Sequence, residues 1–214
     1  VFASSMLVCR LGYKPSSEAD YCPNTPYGKS KVIGEELIRS SNINFPWVIV
    51  RPTSIWGPWF ATPYRDFFDV IRKGLYVHPK GIRVRRSYGF IYNSIFQLSR
   101  ISDRLNDELV GKTIYLADYH PIELKSWSEN IQKNLNIRPI REVPIQVFKI
   151  AAKLGDILKN IGYKNPLMST FRLNNMLTPM EHNTTPLKDY CGDVPYSIDE
   201  GVRITCEWLQ THKK

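Results

Sequence analysis

The stretch that decides the fold is Thr25-Pro26-Tyr27-Gly28-Lys29-Ser30-Lys31-Val32-Ile33-Gly34-Glu35-Glu36-Leu37-Ile38-Arg39-Ser40, followed shortly by Phe45-Pro46-Trp47-Val48-Ile49-Val50. Pro26 stands where a first helical turn tolerates a missing N–H, and Val32, Ile33, Leu37 and Ile38 recur at helical spacing while Lys29, Glu35, Glu36 and Arg39 stay polar. A helix from Thr25 to about Ser40 is therefore expected. The apolar run Phe45 to Val50 reads as a buried strand, as does Val1-Phe2-Ala3-Ser4-Ser5-Met6-Leu7-Val8 upstream of the helix. Strand, long excursion, helix and strand form a βαβ unit, so the expected fold class is α/β with a parallel sheet.

Working outward, a third short strand is expected at Thr113 to Ala117, followed by a helix from about Ile122 to Leu135 with Leu124, Trp127, Ile131 and Leu135 on one face. Val147 to Lys159 alternates apolar and basic residues at helical spacing, and a core-facing helix is expected there rather than one lying on a membrane. Ser197 and Glu200 form a Ser-x-x-Glu capping box ahead of the stripe Val202, Cys206 and Leu209, so Cys206 reads as core. Loops are expected over Pro52 to Pro63 and His78 to Gly89, beside the strands, where parallel sheets place chemistry.

With 214 residues, 43% hydrophobic and 12% aromatic, the chain can build a core. Its 29 Lys+Arg against 20 Asp+Glu leave +9, which suits a phosphate-bearing partner without naming one. No aromatic-basic recognition motif accompanies that charge, so no nucleic-acid partner is expected. Cys9, Cys22, Cys191 and Cys206 lie far apart without a CxxC pair, which speaks for reduced thiols and no metal site. The apolar stretches fall short of the ~20 residues of a membrane span, and no signal segment stands at the start. A soluble, cytoplasmic protein with no membrane attachment is the expectation.

Tyr27 and Lys31 stand four residues apart near a helix start, which places a phenol and an ammonium on one face with Cβ atoms ~5–6 Å apart. A cation so placed would stabilise a phenolate and make Tyr27 a usable acid/base near neutral pH. Spacing alone is weak, since Tyr76-Val77-His78-Pro79-Lys80 also fits Tyr-x-x-x-Lys, but Pro79 would interrupt a helix there. Ser4 and Ser5 end an apolar strand, where a hydroxyl can reach a substrate oxygen or simply bond the local backbone.

Phe2-Ala3-Ser4-Ser5, Pro26-Tyr27-Gly28-Lys29-Ser30-Lys31 and Val50-Arg51-Pro52-Thr53-Ser54-Ile55-Trp56-Gly57-Pro58, in that order, resemble the extended short-chain dehydrogenase/reductase family, in its NAD-dependent epimerase/dehydratase branch acting on nucleotide sugars. Arg86-Ser87-Tyr88-Gly89-Phe90-Ile91-Tyr92-Asn93 is similar to the family's Arg-Asp-Phe-x-Tyr-Val-x-Asp stretch. The resemblance implies a Rossmann-type doubly wound parallel sheet with a smaller, mostly helical substrate-binding region. It also implies NAD or NADP as cofactor, a nucleotide-sugar substrate and a homodimer formed through helices near Tyr27. Tyr27, Lys31 and Ser5 take the catalytic roles: Tyr27 exchanges a proton with a sugar hydroxyl, Lys31 binds the nicotinamide ribose, and Ser5 holds the same sugar oxygen. Ser4 and Pro52 join Tyr27 and Lys31 on the cofactor side, while Ser54 and Arg86 join Ser5 on the substrate side, Arg86 through nucleotide phosphates.

The departures from the family are informative. Cys9 stands where relatives often have Tyr, Ser54 where they have Asn, and Asn93 where they have Asp. Met6-Leu7 replaces the Asp-Glu pair of sugar 4,6-dehydratases, which argues against dehydration. No Gly-x-x-Gly-x-x-Gly occurs, although relatives use such a turn to cradle the cofactor pyrophosphate. With the start at Val1, this leads to the expectation of a carboxyl-terminal part of a longer enzyme, inactive by itself. Residues 1–60 would then be the end of the cofactor domain, and 61–214 mainly substrate-binding, with a strand and helix returning to the sheet near 113–135. The activity implied is epimerisation by transient hydride transfer. The alternatives are a nucleotide-sugar reductase of the same branch and a non-catalytic dinucleotide-sensing protein.

Overall fold

A computed structural model describes residues 1–62, 64–103, 105, 108–163, 166 and 168–212. In chain order the elements are β1 (Phe2–Ala3), α1 (Pro26–Ser40), β2 (Ile49–Pro52), β3 (Ser54–Trp56), α2 (Tyr64–Arg72), β4 (Val77–Pro79), β5 (Arg85–Arg86), β6 (Tyr88–Phe90) and α3 (Ile91–Asp103). They continue with β7 (Thr113–Leu116), β8 (Ile122–Glu123), α4 (Leu124–Asn134), β9 (Arg141–Val143), α5 (Ile145–Asn160), α6 (Thr170–Leu177), α7 (Thr185–Cys191) and α8 (Ile198–Thr211).

β2 is the middle strand of a parallel sheet in the order β1-β2-β7, with Phe2 opposite Ile49 and Val50 opposite Ile114. The βαβ unit and the returning strand near 113 are thus in place, and the fold is of the α/β class. Side chains alternate across a strand, so Val48, Val50, Ile114 and Leu116 point to one face, where they pack with Ile101, Leu187 and Cys191. Arg51 and Tyr115 point to the other face and meet Glu35 of α1 or its partners.

The first strand is shorter than the apolar run suggests. Ser5 turns the chain into a 3-10 turn over Met6–Val8, because its hydroxyl accepts the Leu7 N–H and caps that turn. The second strand lies at Ile49–Pro52 rather than 45–50, and residues 122–123 pair with β5 before α4 begins. The stretches expected as loops hold strands: β3 pairs with β6 in parallel and β4 with β9. Pro63, the far end of the first expected loop, lies outside the described residues.

Beneath β3 and β6 lies an aromatic core in which Trp56 packs against Phe90 (5.0 Å between ring centroids) and Trp127 (5.2 Å), closed by Val202, Cys206 and Leu209 of α8. The Ser197–Glu200 capping box is formed at the start of α8, and Cys206 is core as expected. Gly201 makes that packing possible, since a Cβ there would stand 2.9 Å from the Trp56 ring.

Candidate active site

The 3-10 turn that follows β1 meets the first turn of α1. Thr25 caps that helix by accepting the Gly28 N–H at 3.0 Å, which fixes where Tyr27 leaves the axis. Gly28 is buried against the turn after Ser5, and a Cβ on it would stand 2.2 Å from the Leu7 carbonyl oxygen. Only glycine lets α1 close on that turn. Gly28→Ala is therefore expected to push the start of α1, which carries Tyr27, off that turn and to lower the thermal unfolding midpoint. Thermal unfolding checks this; an unchanged midpoint would show that the close approach is not needed.

Lys31 follows one turn after Tyr27. Its Nζ donates to the Ala3 carbonyl at 2.9 Å and lies 5.7 Å from the centroid of the Tyr27 ring. Phenol and ammonium therefore share a face, beside the end of β1. Tyr27 is 52% exposed, and among the described residues its hydroxyl has no hydrogen-bond partner. The competing pair separates as Pro79 requires: Tyr76 precedes strand β4, and its hydroxyl meets His78 Nδ1 at 3.1 Å. Burial pushes the Tyr76 phenol well above its ordinary value, which suits a core residue.

Ser5 is buried, and its hydroxyl accepts from the Leu7 N–H at 3.1 Å, leaving its proton available to a ligand. Ser4 is spent differently. Its hydroxyl donates to Glu35 Oε1 at 2.5 Å, deep beneath α1. Glu35 also accepts Arg51 Nε (2.8 Å), Arg51 Nη2 (2.6 Å) and the Tyr21 hydroxyl (2.9 Å). Arg51 in turn donates to the Glu18 carbonyl at 2.6 Å and to the Tyr115 hydroxyl at 3.3 Å. Glu35 and Arg51 are each 1% exposed, so this is a fully desolvated, bidentate ion pair with its remaining valences filled. Burial alone would push the Glu35 carboxyl up; the hydrogen bonds and charge of Arg51 outweigh it and hold the carboxyl below its ordinary value.

That network corrects the helical pattern of α1. Glu35, grouped with the polar face, is buried, whereas Ile33 and Leu37, grouped with the apolar stripe, are exposed. Sequence reasoning singled out neither Glu35 nor Arg51 as positioning residues. One signal was available: an arginine closing the run Val48-Ile49-Val50-Arg51 needs a buried acidic partner.

A cavity of 350 Å³ adjoins the turn after Ser5, its walls including Met6, Leu7, Ser54, Trp56, Arg86 and Tyr88; Tyr27, Lys31 and Ser5 are not among the described residues that line it. Leu7 ties it to α1, since the Leu7 carbonyl is what Gly28 lies against. Ser54 and Arg86 thus share one cavity, and Pro52 ends the central strand nearby in sequence. The Arg86 guanidinium is already engaged: Nε donates to the Thr178 carbonyl at 3.1 Å, and Nη2 to the carbonyls of Thr178 and Asn175. It fastens the end of α6 to the cavity wall. Asn93 explains its own departure from Asp: its Nδ2 donates to Asp118 Oδ1 at 3.0 Å, where an aspartate would set two carboxylates against each other. Burial holds the Asp118 carboxyl up at about 6 despite those bonds. A larger cavity of 580 Å³ lies between the 118–123 segment and the start of α8, away from Tyr27, Lys31 and Ser5.

Residues 13–98 match an NAD-binding family described as Male sterility protein. Among solved structures, UDP-galactose 4-epimerase matches at 18% identity with a TM-score of 0.65, covering 98% of this chain and 62% of that one. UDP-glucuronic acid 4-epimerase from Bacillus cereus, in complex with NAD, matches at 16% and 0.65, covering 98% and 60%. RMD from Pseudomonas aeruginosa, complexed with NADPH, matches at 14% and 0.66, covering 98% and 65%. The chain has the Rossmann-type fold of NAD-dependent epimerases and dehydratases. It spans 60 to 65% of the length of these three chains. No curated protein matches it.

Proposed function

We propose that the chain carries the proton-transfer and substrate half of an NAD- or NADP-dependent epimerase, or related oxidoreductase, of nucleotide sugars. The observation that carries this reading is the placement of Lys31 Nζ on the Ala3 carbonyl, one helical turn from an exposed Tyr27 and at the strand end that delivers Ser5. The residues fit the nicotinamide-ribose end of such a cofactor: after its bond to Ala3, the Lys31 ammonium keeps two donors, and the Tyr27 hydroxyl is open. No Gly-x-x-Gly-x-x-Gly turn for the pyrophosphate occurs in the sequence, so the residues named here fit the nicotinamide-ribose end alone.

When bound, the nicotinamide supplies a store for hydride. Tyr27 takes the proton of the sugar hydroxyl as that carbon is oxidised and returns it on re-reduction from the other face, so net redox is zero. Lys31 keeps a positive charge beside the phenolate, and Ser5 orients the oxygen by donating to it. The 350 Å³ cavity receives the sugar side. The exposed Ile33 and Leu37 of α1 support the expected homodimer, because a pairing through α1 would remove them from water.

The test is turnover of UDP-galactose and UDP-glucuronic acid by a polypeptide that includes a glycine-rich cofactor half. Epimer formation with no net change in nicotinamide absorbance is the expected result. Stoichiometric consumption of reduced cofactor would instead establish the reductase reading. Cofactor binding without turnover of any nucleotide sugar would leave only a dinucleotide-binding protein.

A further inference from the structure

We propose that α5 is a membrane-surface helix, whose outer apolar face docks at the headgroup boundary of an anionic lipid bilayer. α5 has two apolar faces. The inner one, Phe148, Ala152 and Gly155, packs on α6 and the segment leading into it, closely enough that a Cβ on Gly155 would stand 1.7 Å from the Met168 carbonyl oxygen. The outer one, Val147, Ile150, Leu154, Ile157, Leu158 and Ile161, follows the i, i+3/i+4 pattern along the whole helix, and these side chains are 43 to 75% exposed. The sequence pattern led to the expectation of a core-facing helix, and only one face meets that expectation. Phe171, in the first turn of the adjoining α6, is 68% exposed as well.

A contiguous stripe of this length on a protein surface marks an interface with a protein or a lipid surface. The charges around it choose between them. Lys149, Lys153 and Lys159 are exposed on α5, and its one acid, Asp156, is turned inward to accept the Thr170 N–H at 3.1 Å. Lys149 and Lys153 flank the stripe on one side. Two copies paired antiparallel through the stripe would set those lysines side by side with no acid between them, whereas lipid phosphates meet them directly. A helix with an apolar stripe and a lysine edge lies in the interface plane with the stripe ~5–10 Å into the headgroup and acyl boundary. No described helix is long and apolar enough to cross a membrane.

Flotation of the 214-residue chain with vesicles tests this. Vesicles of phosphatidylcholine with phosphatidylserine are expected to carry the protein upward, with a yield that falls as salt rises, and vesicles of phosphatidylcholine alone to carry far less. The triple variant Ile150→Ser, Leu154→Ser, Ile157→Ser is expected to lower partitioning by more than about a hundredfold while its thermal midpoint holds, since all three positions face water. Lys149→Gln and Lys153→Gln, away from any packed face, are each expected to cost about fivefold and give a second reading independent of the apolar replacements. Equal binding by all variants, or none by any, would overturn the proposal. So would a dimer in sedimentation that the serine variant abolishes, because a second copy would then be what covers the stripe.

Discussion

Tyr27→Phe is expected to cut turnover by about 10²–10⁴-fold, the usual worth of a positioned acid/base, while leaving stability and cofactor affinity nearly unchanged. The ring stays in place, and only a hydroxyl is lost, one without a hydrogen-bond partner among the described residues on a side chain that is 52% exposed. The loss should fall on kcat more than on KM, since the hydroxyl acts on the migrating proton rather than on the bulk of the substrate. Lys31→Met should behave differently. It removes the ammonium that bonds the Ala3 carbonyl, so both kcat and nicotinamide binding should suffer. Steady-state rates and fluorescence titration of the cofactor separate the two variants. A phenylalanine variant with the parent rate would remove Tyr27 from the chemistry and with it the proposed mechanism.

The second large effect concerns stability. Replacing Arg51 by Met, or Glu35 by Gln, is expected to cost about 3–5 kcal/mol, because either change leaves a buried polar or charged group without its partner. The damage reaches beyond the pair, since Ser4, Tyr21, the Glu18 carbonyl and Tyr115 lose their common anchor. Replacing both residues by Met together is expected to recover part of the loss, since no charge is then buried alone, while Ser4, Tyr21 and the Glu18 carbonyl stay without their partners. Urea midpoints of the single and double variants check the sign of that coupling.

The pair also sets a pH dependence. The folded Glu35 carboxyl lies below its unfolded value, so its contribution is fully present above the ordinary carboxylate range and is lost as pH falls through the folded value. Glu35→Gln should lack that acid limb. Because α1 is fastened to β2 by this pair, Tyr27 and Lys31 depend on it for their position at the sheet edge, although neither touches it.

The elements legible in the sequence are those whose signals are local. Pro26 after Thr25 marks the start of α1, and Ser197 with Glu200 marks the start of α8, because a cap is a contact between residues three apart. The parallel sheet was legible through its central apolar runs, and Tyr27 with Lys31 through helical spacing and ordered blocks. The short strands β3 to β6, β8 and β9 were not. Two or three residues carry no period, and each is a strand only because a distant segment supplies its hydrogen bonds.

The sequence by itself determined the α/β class, the βαβ unit and the candidate proton-transfer pair, since periodicity, caps and spacing are set within one or two turns of chain. Only the tertiary structure decided that Glu35 is buried on Arg51, that Arg86 clasps the end of α6, and that one apolar face of α5 meets water while the other meets the core. An apolar stripe states that a face wants covering and a charge states that it wants a partner. Which neighbour satisfies either is settled by contacts far apart in sequence, and burial is a property of those contacts rather than of the residue.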